Sequence, residues 1–358
     1  MNLLIVRLSA LGDVIQGIPC LVALKESFPD WRISWLVEEP SAAVLVGHPH
    51  LHKLFVLTRE WRKKKLGVSP GDLSAGFGNL RPTWRALRRE RFDAVIDLQG
   101  LFKSGLWSFL SGAPRRIGHD RTRELAHWFL NEYVCDRPTF DPSYPLVQRY
   151  LDPARYLKAD VSKGRYLLPD PSVDTLAAVD ALLGPSTSSV ATIALCPWSA
   201  WPSKNWPLDR WQELATRLAG DFRVLIVGGR AERSLATSLW PSASSSSQIL
   251  ASGILNLVGK TSLPVLAEIF RRCRVVVGPD SGPVHLANAT GVPRIVMIFG
   301  STSWRRSGPW GTSHHVVSRD LDCQPCFARH CPLVHFNCLR QLEMPAVLDA
   351  VLDLTRTS

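Results

Sequence analysis

The feature that most limits what this chain can fold into is an alternation of short apolar runs and amphipathic stretches that occurs twice, with a break between. Residues 3–8, 33–37, 53–57 and 94–98 carry the Leu/Ile/Val-rich pattern of strands buried on both faces. Residues 12–25, 41–47, 81–91, 102–110 and 124–133 carry helical periodicity. Parallel strands need a crossover, usually a helix, so this alternation predicts a parallel sheet with helices on both faces. The pattern breaks at residues 166–190, where Pro169, Pro171, Gly184 and Pro185 surround one helix at 173–183 and a Ser/Thr tract follows. It then restarts, with strands at 191–196, 223–227, 254–258, 275–277 and 294–299 and helices at 208–219, 231–240, 263–273 and 282–290. A chain of 358 residues exceeds what one core usually serves. The expected fold class is therefore α/β, with two Rossmann-like doubly wound domains at 1–168 and 191–340 facing across a cleft. A linker at 169–190 joins them, and a C-terminal helix at 341–358 is expected to pack back on the N-terminal domain. Ligands in such sheets lie beyond the carboxyl ends of the strands.

Several function classes are excluded early. No apolar run reaches the roughly 18 residues of a membrane-spanning helix. The opening MNLLIVRLSALGDVI is interrupted by Arg7 and Asp13, so it reads as a strand entering a functional loop rather than a signal sequence, which points to the cytoplasm. Lys and Arg number 42 against 31 Asp and Glu, a net charge of +11. The excess is local: ten basic residues lie between Arg59 and Arg91, against Glu60, Asp72 and Glu90. Such a patch attracts an anionic partner, or is simply a solvated face. With thin aromatic interleaving (Trp61, Phe77, Trp84) and no recognisable motif, no nucleic acid is expected. Cys20, Cys135, Cys196 and Cys273 are scattered in apolar surroundings and read as inert core thiols.

Four strand-to-helix junctions carry the chemistry. In Arg7-Leu8-Ser9-Ala10-Leu11-Gly12-Asp13-Val14, Asp13 falls at the carboxyl edge of the first strand. It could take a proton from an acceptor hydroxyl or merely favour the helix start, and the segment alone does not choose. In Val277-Gly278-Pro279-Asp280-Ser281-Gly282-Pro283-Val284-His285, a strand ends and a helix opens at Gly282, with Ser281 as N-cap and Pro283 in the first turn. The exposed N–H groups of that turn suit a diphosphate. Asp280 would repel a diphosphate directly, so it is expected to accept from sugar hydroxyls or backbone N–H groups; His285 could face either ligand or sheet. In the stiff loop Pro197-Trp198-Ser199-Ala200-Trp201-Pro202-Ser203-Lys204-Asn205-Trp206-Pro207, Lys204 is the only charge. It reads as a fixed cation for a departing phosphate or as an ordinary exposed lysine. In Val227-Gly228-Gly229-Arg230-Ala231-Glu232, Glu232 either favours the helix dipole or accepts from a ribose. Glu38 and Glu39 end the second strand where a dinucleotide fold holds its ribose, but G-x-G-x-x-G is absent, which weakens a nicotinamide-dependent oxidoreductase reading.

Taken together and in order, these segments resemble the lipopolysaccharide heptosyltransferases of glycosyltransferase family 9, which have the GT-B fold. Further similar stretches are Trp35-Leu36-Val37-Glu38-Glu39 and residues 92–104. The run Arg59-Glu60-Trp61-Arg62-Lys63 and the pair Arg123-Glu124 look most like heptosyltransferase I. The resemblance implies inverting transfer of L-glycero-D-manno-heptose from ADP-heptose to Kdo on the growing inner core, with no cofactor required. It implies that Asp13 is the general base, Lys204 meets the donor phosphates and Glu232 lies near the adenosine. Asp280, Ser281, Gly282 and His285 match the donor-binding D-[ST]-G-x-x-H motif, and Pro283 replaces the leucine of some members. Arg62, Lys63, Lys64, Lys103 and Arg123 are the candidates for an anionic glycolipid acceptor, since guanidinium contacts to phosphate and carboxylate are charge-assisted. An enzyme of this kind is expected to be cytoplasmic and peripheral on the inner face of the membrane. The alternatives are a Rossmann-type nucleotide-binding oxidoreductase and a non-enzymatic protein binding anionic lipid or nucleic acid.

The motifs leave one feature over. Cys323, Cys326, Cys331 and Cys338 read C-x2-C-x4-C-x6-C, with His330 and His335 between. Four thiols this close could hold zinc or a cluster, or remain free or partly paired. Heptosyl transfer, as the resemblance implies it, needs no metal.

Overall fold

The computed structural model describes residues 1–58, 80–120, 122, 124–134, 141–184, 190–240, 253–311 and 313–356. It divides into two compact units, one of Met1–Asp141 with Leu146–Asp170, the other of Pro142–Pro145 with Pro171–Ser358.

The first unit contains β1 (Asn2–Val6), α1 (Leu11–Ser27), β2 (Arg32–Glu38), α2 (Glu39–Ala42), β3 (Lys53–Leu57), α3 (Leu80–Glu90), β4 (Ala94–Asp97), α4 (Phe102–Leu110), β5 (Arg115–Gly118), β6 (Glu132–Tyr133) and α5 (Leu146–Tyr156). The strands form one parallel sheet in the order β3-β2-β1-β4-β5-β6. Central strand β1 explains its own apolar run: Leu3, Leu4, Ile5 and Val6 are fully buried, with Ile5 between Trp35 and Ile96 in register. Helix α1 is buried almost all round because it lies against both the sheet and α5.

Two expectations for this unit change. The helix expected at 41–47 is the short α2 followed by turns. The helix expected at 124–133 is a 3-10 turn, Ala126–Phe129, leading into edge strand β6. Glu124 and Leu125 adopt φ of 56° and 58°, left-handed values that a helix cannot pass through.

The second unit opens with α6 (Val173–Leu183) and continues through β7 (Thr192–Leu195), α7 (Leu208–Leu218), β8 (Arg223–Ile226), α8 (Arg233–Leu239), β9 (Ile254–Asn256) and α9 (Leu263–Arg271). It ends with β10 (Val275–Pro279), α10 (Gly282–Thr290), β11 (Arg294–Phe299), α11 (Trp304–Ser307), β12 (His314–Ser318), α12 (Asn337–Arg340) and α13 (Met344–Arg356). Its parallel sheet runs β12-β11-β10-β7-β8-β9, the same winding as the first. Within the segment read as a linker, α6 is capped by the Ser172 hydroxyl and packs on α9, so that helix belongs to this unit.

Helix α13 packs on α7 and on β10, β11 and β12 of its own unit. Its apolar stripe, Val347, Ala350, Val351 and Leu354, joins a core with Trp206, Trp211 and Leu214. Burying each larger aliphatic side chain there contributes about 1.5–3 kcal/mol, which fixes where the helix docks.

In both sheets the winding reverses at one place: between β1 and β4 in the first, between β7 and β10 in the second. Chain connections diverge there and leave a crevice at the carboxyl ends of the strands. At these carboxyl ends, Asp97 closes β4, Asp13 lies in the first turn of the helix after β1, and Lys204 and Asp280 stand in the segments after β7 and β10.

Candidate active site

In the second unit, β10 ends at Pro279 and Asp280 follows directly, buried. Gly278 permits this ending: a Cβ there would stand 2.5 Å from Val284 Cγ2 and 2.9 Å from Cys196 Cβ. Asp280 Oδ2 accepts from Lys204 Nζ at 2.8 Å and from Thr302 Oγ1 at 2.8 Å. Oδ1 lies 2.9 Å from His285 Nε2. Burial opposes ionisation of Asp280, but Lys204 and the His285 hydrogen bond outweigh it and hold the carboxyl well below the usual carboxylate range. Both oxygens are thus engaged by side chains in this structure, where the sequence reading anticipated sugar hydroxyls or backbone N–H groups. His285 faces this carboxylate.

Lys204 is held rather than loose. Its ammonium lies 4.8 Å from the centre of the Trp201 ring, and its side chain is 15% exposed. The loop is stiffened from within, Ser199 N–H donating to Asn205 Oδ1 at 2.7 Å. Trp206 anchors its end by donating from Nε1 to Leu342 O at 2.9 Å. Trp198 packs so closely over Gly228 that a Cβ at that glycine would clash with the indole at 2.7 Å.

Ser281 occupies the N-cap position of α10, yet its hydroxyl makes no cap bond and is a buried oxygen without a partner. An unsatisfied buried hydroxyl costs on the order of 1–3 kcal/mol. One beside a lysine, at a helix N-terminus opened by Gly282, is poised for an anion. Glu232 ends a 3-10 turn after β8 and precedes α8, its Oε2 lying 2.9 Å from where a Gly229 Cβ would stand. Thr302 also borders a polar cavity of about 740 Å³, counting its open mouth, with Arg305 and Arg319 on the wall.

In the first unit, Asp13 is the third residue of α1 and accepts from the Ala10 N–H at 3.3 Å, so it does favour the helix start. It does more than that. Arg7 Nη2 lies 2.5 Å from Oδ2, and Tyr150 from α5 donates its hydroxyl to Oδ1 at 3.2 Å. Burial alone would weaken the Arg7 cation, but Asp13, Tyr150 and Asp97 raise its pKa further, so it stays charged. The Asp13 side chain remains 32% exposed, an oriented carboxylate open to solvent.

Lys103, from the start of α4, donates to Ser9 Oγ at 3.0 Å and to Glu38 Oε1 at 2.8 Å. Glu38 is therefore engaged by a lysine at the point where a dinucleotide fold would offer it to a ribose. Arg62, Lys63, Lys64 and Arg123 lie outside the described residues, as do half of the ten basic residues between Arg59 and Arg91.

The residue roles missed by sequence reading are those of Arg7, Tyr150, Trp201 and Thr302. Arg7 and Trp201 stood inside quoted segments without a part; Tyr150 and Thr302 gave no local signal.

A family model for glycosyltransferase family 9 (heptosyltransferase) matches residues 80–336, most of the chain. The chain belongs to glycosyltransferase family 9. It is thus a glycosyltransferase, and the oxidoreductase and non-enzymatic readings fall away. The relatives of this family-9 chain include lipopolysaccharide heptosyltransferase 1 of Pseudomonas aeruginosa, 29% identical over 92% of this chain and 87% of that one. Lipopolysaccharide heptosyltransferase 1 of Escherichia coli K12 is 28% identical over 88% of this chain and 93% of that one. Among solved structures, the family 9 glycosyltransferase of Veillonella parvula superposes with a TM-score of 0.79 at 20% identity, covering 99% of this chain and 96% of that one. The E. coli heptosyltransferase WaaC with ADP superposes at 0.72 and 24% identity, covering 99% and 100%. These likenesses bear out the expected fold, a GT-B pair of doubly wound sheets. Among the described residues no helix is long and apolar enough to cross a membrane.

Proposed function

We propose that this glycosyltransferase moves L-glycero-D-manno-heptose from ADP-heptose to a Kdo/inner-core acceptor of lipopolysaccharide, inverting the anomeric centre and using no cofactor. The observation that carries the reading is the arrangement after β10: a lysine fixed by a buried carboxylate, beside an unpartnered serine hydroxyl at a helix N-terminus. That set answers the needs of a diphosphate leaving group, which are a cation and unspent hydrogen-bond donors. The curated relatives named lipopolysaccharide heptosyltransferase 1 support the sugar and the pathway.

In this reading Asp13 takes the proton of the acceptor hydroxyl as its oxygen attacks the anomeric carbon. The bond from that carbon to the diphosphate oxygen breaks, and attack from the opposite face inverts the centre. Arg7 and Tyr150 orient the carboxylate. The departing ADP meets Lys204, the Ser281 hydroxyl and the N–H groups beginning at Gly282. Asp280 and His285 act by holding Lys204, while Glu232 meets the adenosine end. Arg62, Lys63, Lys64, Lys103 and Arg123 receive the anionic acceptor, and the basic surface keeps the enzyme at the cytoplasmic face of the inner membrane.

A thermal-shift panel tests the donor. ADP-heptose is expected to raise Tm, with UDP-, GDP- and CMP-sugars inert. A response confined to UDP-sugars would overturn the donor assignment.

A further inference from the structure

Between β12 and α12, residues 319–336 contain neither helix nor strand. That is longer than the roughly 12–15 residues beyond which an irregular segment in a compact domain usually has a function. Its apolar residues do not hold it down, for Leu333 is 55% and Val334 75% exposed. Its backbone is strained: Phe327, Val334 and Phe336 adopt φ of 51°, 61° and 53°, and left-handed values are costly for bulky and β-branched residues. Something other than packing must hold this shape.

The segment also props the candidate site. Ser203, the neighbour of Lys204, donates its N–H to Arg329 O at 3.3 Å and its hydroxyl to Ala328 O at 2.6 Å. Phe327 N–H donates to Ser301 O at 2.8 Å, and Gln324 Nε2 to Gly300 O at 2.7 Å. Both loops that grip Asp280, those of Lys204 and Thr302, therefore lean on it.

Cys323, Cys326, Cys331 and Cys338 all line one small cavity, together with Ser203 and Ser301. All four are free thiols. As they stand, no three of the described His, Cys, Asp or Glu side chains form a ligand set for a single ion; the four thiols surround a space instead. We propose that Cys323, Cys326, Cys331 and Cys338 hold one thiolate-ligated metal centre that braces the Lys204 loop. A zinc ion would draw the thiols inward, and an iron–sulfur cluster would fill the space between them. In either case the four thiols lose their protons on binding, and the coordinate bonds replace the missing apolar core of the segment. The bracing role rests on the donor site proposed above; the metal centre does not.

The test is metal and acid-labile sulfide analysis of the full chain, purified anaerobically without chelator. About one zinc per chain without sulfide identifies the single ion, and iron with matching sulfide identifies the cluster; either supports the proposal. The double variant Cys326→Ser/Cys338→Ser should lose the metal, while Cys273→Ser, a buried thiol outside the segment, should retain it. With circular dichroism unchanged, metal removal should weaken ADP-heptose binding at least threefold. The metal centre is refuted if neither zinc nor iron exceeds a small fraction of an equivalent, both as purified and after reconstitution with Zn²⁺ or with Fe²⁺ and sulfide. Disulfides among the four cysteines in the active enzyme would refute it equally. A metal-bearing protein that fails to bind ADP-heptose would count against the donor reading alone.

Discussion

Replacing Lys204 by methionine keeps the length of the side chain and removes its charge. Asp280 would then be a buried carboxylate that has lost its closest cation. Leaving one member of a buried pair wholly uncompensated costs about 3–5 kcal/mol. Here the cost is smaller, because Thr302 and His285 still hydrogen-bond the carboxylate. We expect about 2–3 kcal/mol. A unit spanning Pro171–Ser358 loses roughly 2–4 °C of Tm per kcal/mol, so the second unit should melt about 4–12 °C lower. Asp280→Asn added to this variant should recover part of the loss, since no buried charge remains. Catalysis should suffer more: losing a preorganised group on the leaving phosphate costs about 2.7–4 kcal/mol, or 100- to 1000-fold in turnover. Differential scanning fluorimetry and ADP release measure the two effects on the same samples. A Lys204→Met protein melting within 1 °C of the parent and turning over within threefold of it would refute the role of this ion pair in both fold and reaction.

Other consequences follow from the same geometry. Ser281→Ala removes a buried hydroxyl that has no partner, so Tm should hold or rise slightly while the ADP-heptose Kd rises about 5- to 10-fold, the worth of one lost hydrogen bond of about 1–1.5 kcal/mol; an unchanged Kd by calorimetry would show that the hydroxyl does not meet the donor. Two histidines set a pH limit: burial and the nearby His50 push His48 down to about 4, and burial with Arg149 pushes His119 down to about 3. Both stay neutral in the folded chain, whereas the unfolded chain protonates them near 6.5, so their stabilisation is complete above that pH and is lost as pH falls toward 4. The urea midpoint should fall between pH 7.5 and 5, and His48→Gln should flatten the slope; a midpoint constant over that range would contradict the assignment.

The buried central strands were legible because they are continuous apolar runs, and the two-fold repetition followed from them. Strand β5 and edge strands β6 and β12 were not, because Arg115, Arg116, Glu132, His314 and His315 give them the composition of surface loops. The candidate site was legible to the same extent. Asp13, Lys204 and Asp280 stand at junctions between strand and helix or loop, and each announces itself locally. Their partners do not: Tyr150 reaches Asp13 from 137 positions away, and Thr302 reaches Asp280 from the segment after β11. Side chains that meet only after folding leave no spacing to read.

The central claim is that Asp13 removes the acceptor proton. Asp13→Asn preserves the size of the side chain and keeps one oxygen to accept from Arg7 or Tyr150, but removes its basicity. Turnover of ADP-heptose with a Kdo-bearing acceptor should fall 100- to 10,000-fold while the ADP-heptose Kd stays within twofold. Turnover within threefold of the parent would contradict the account.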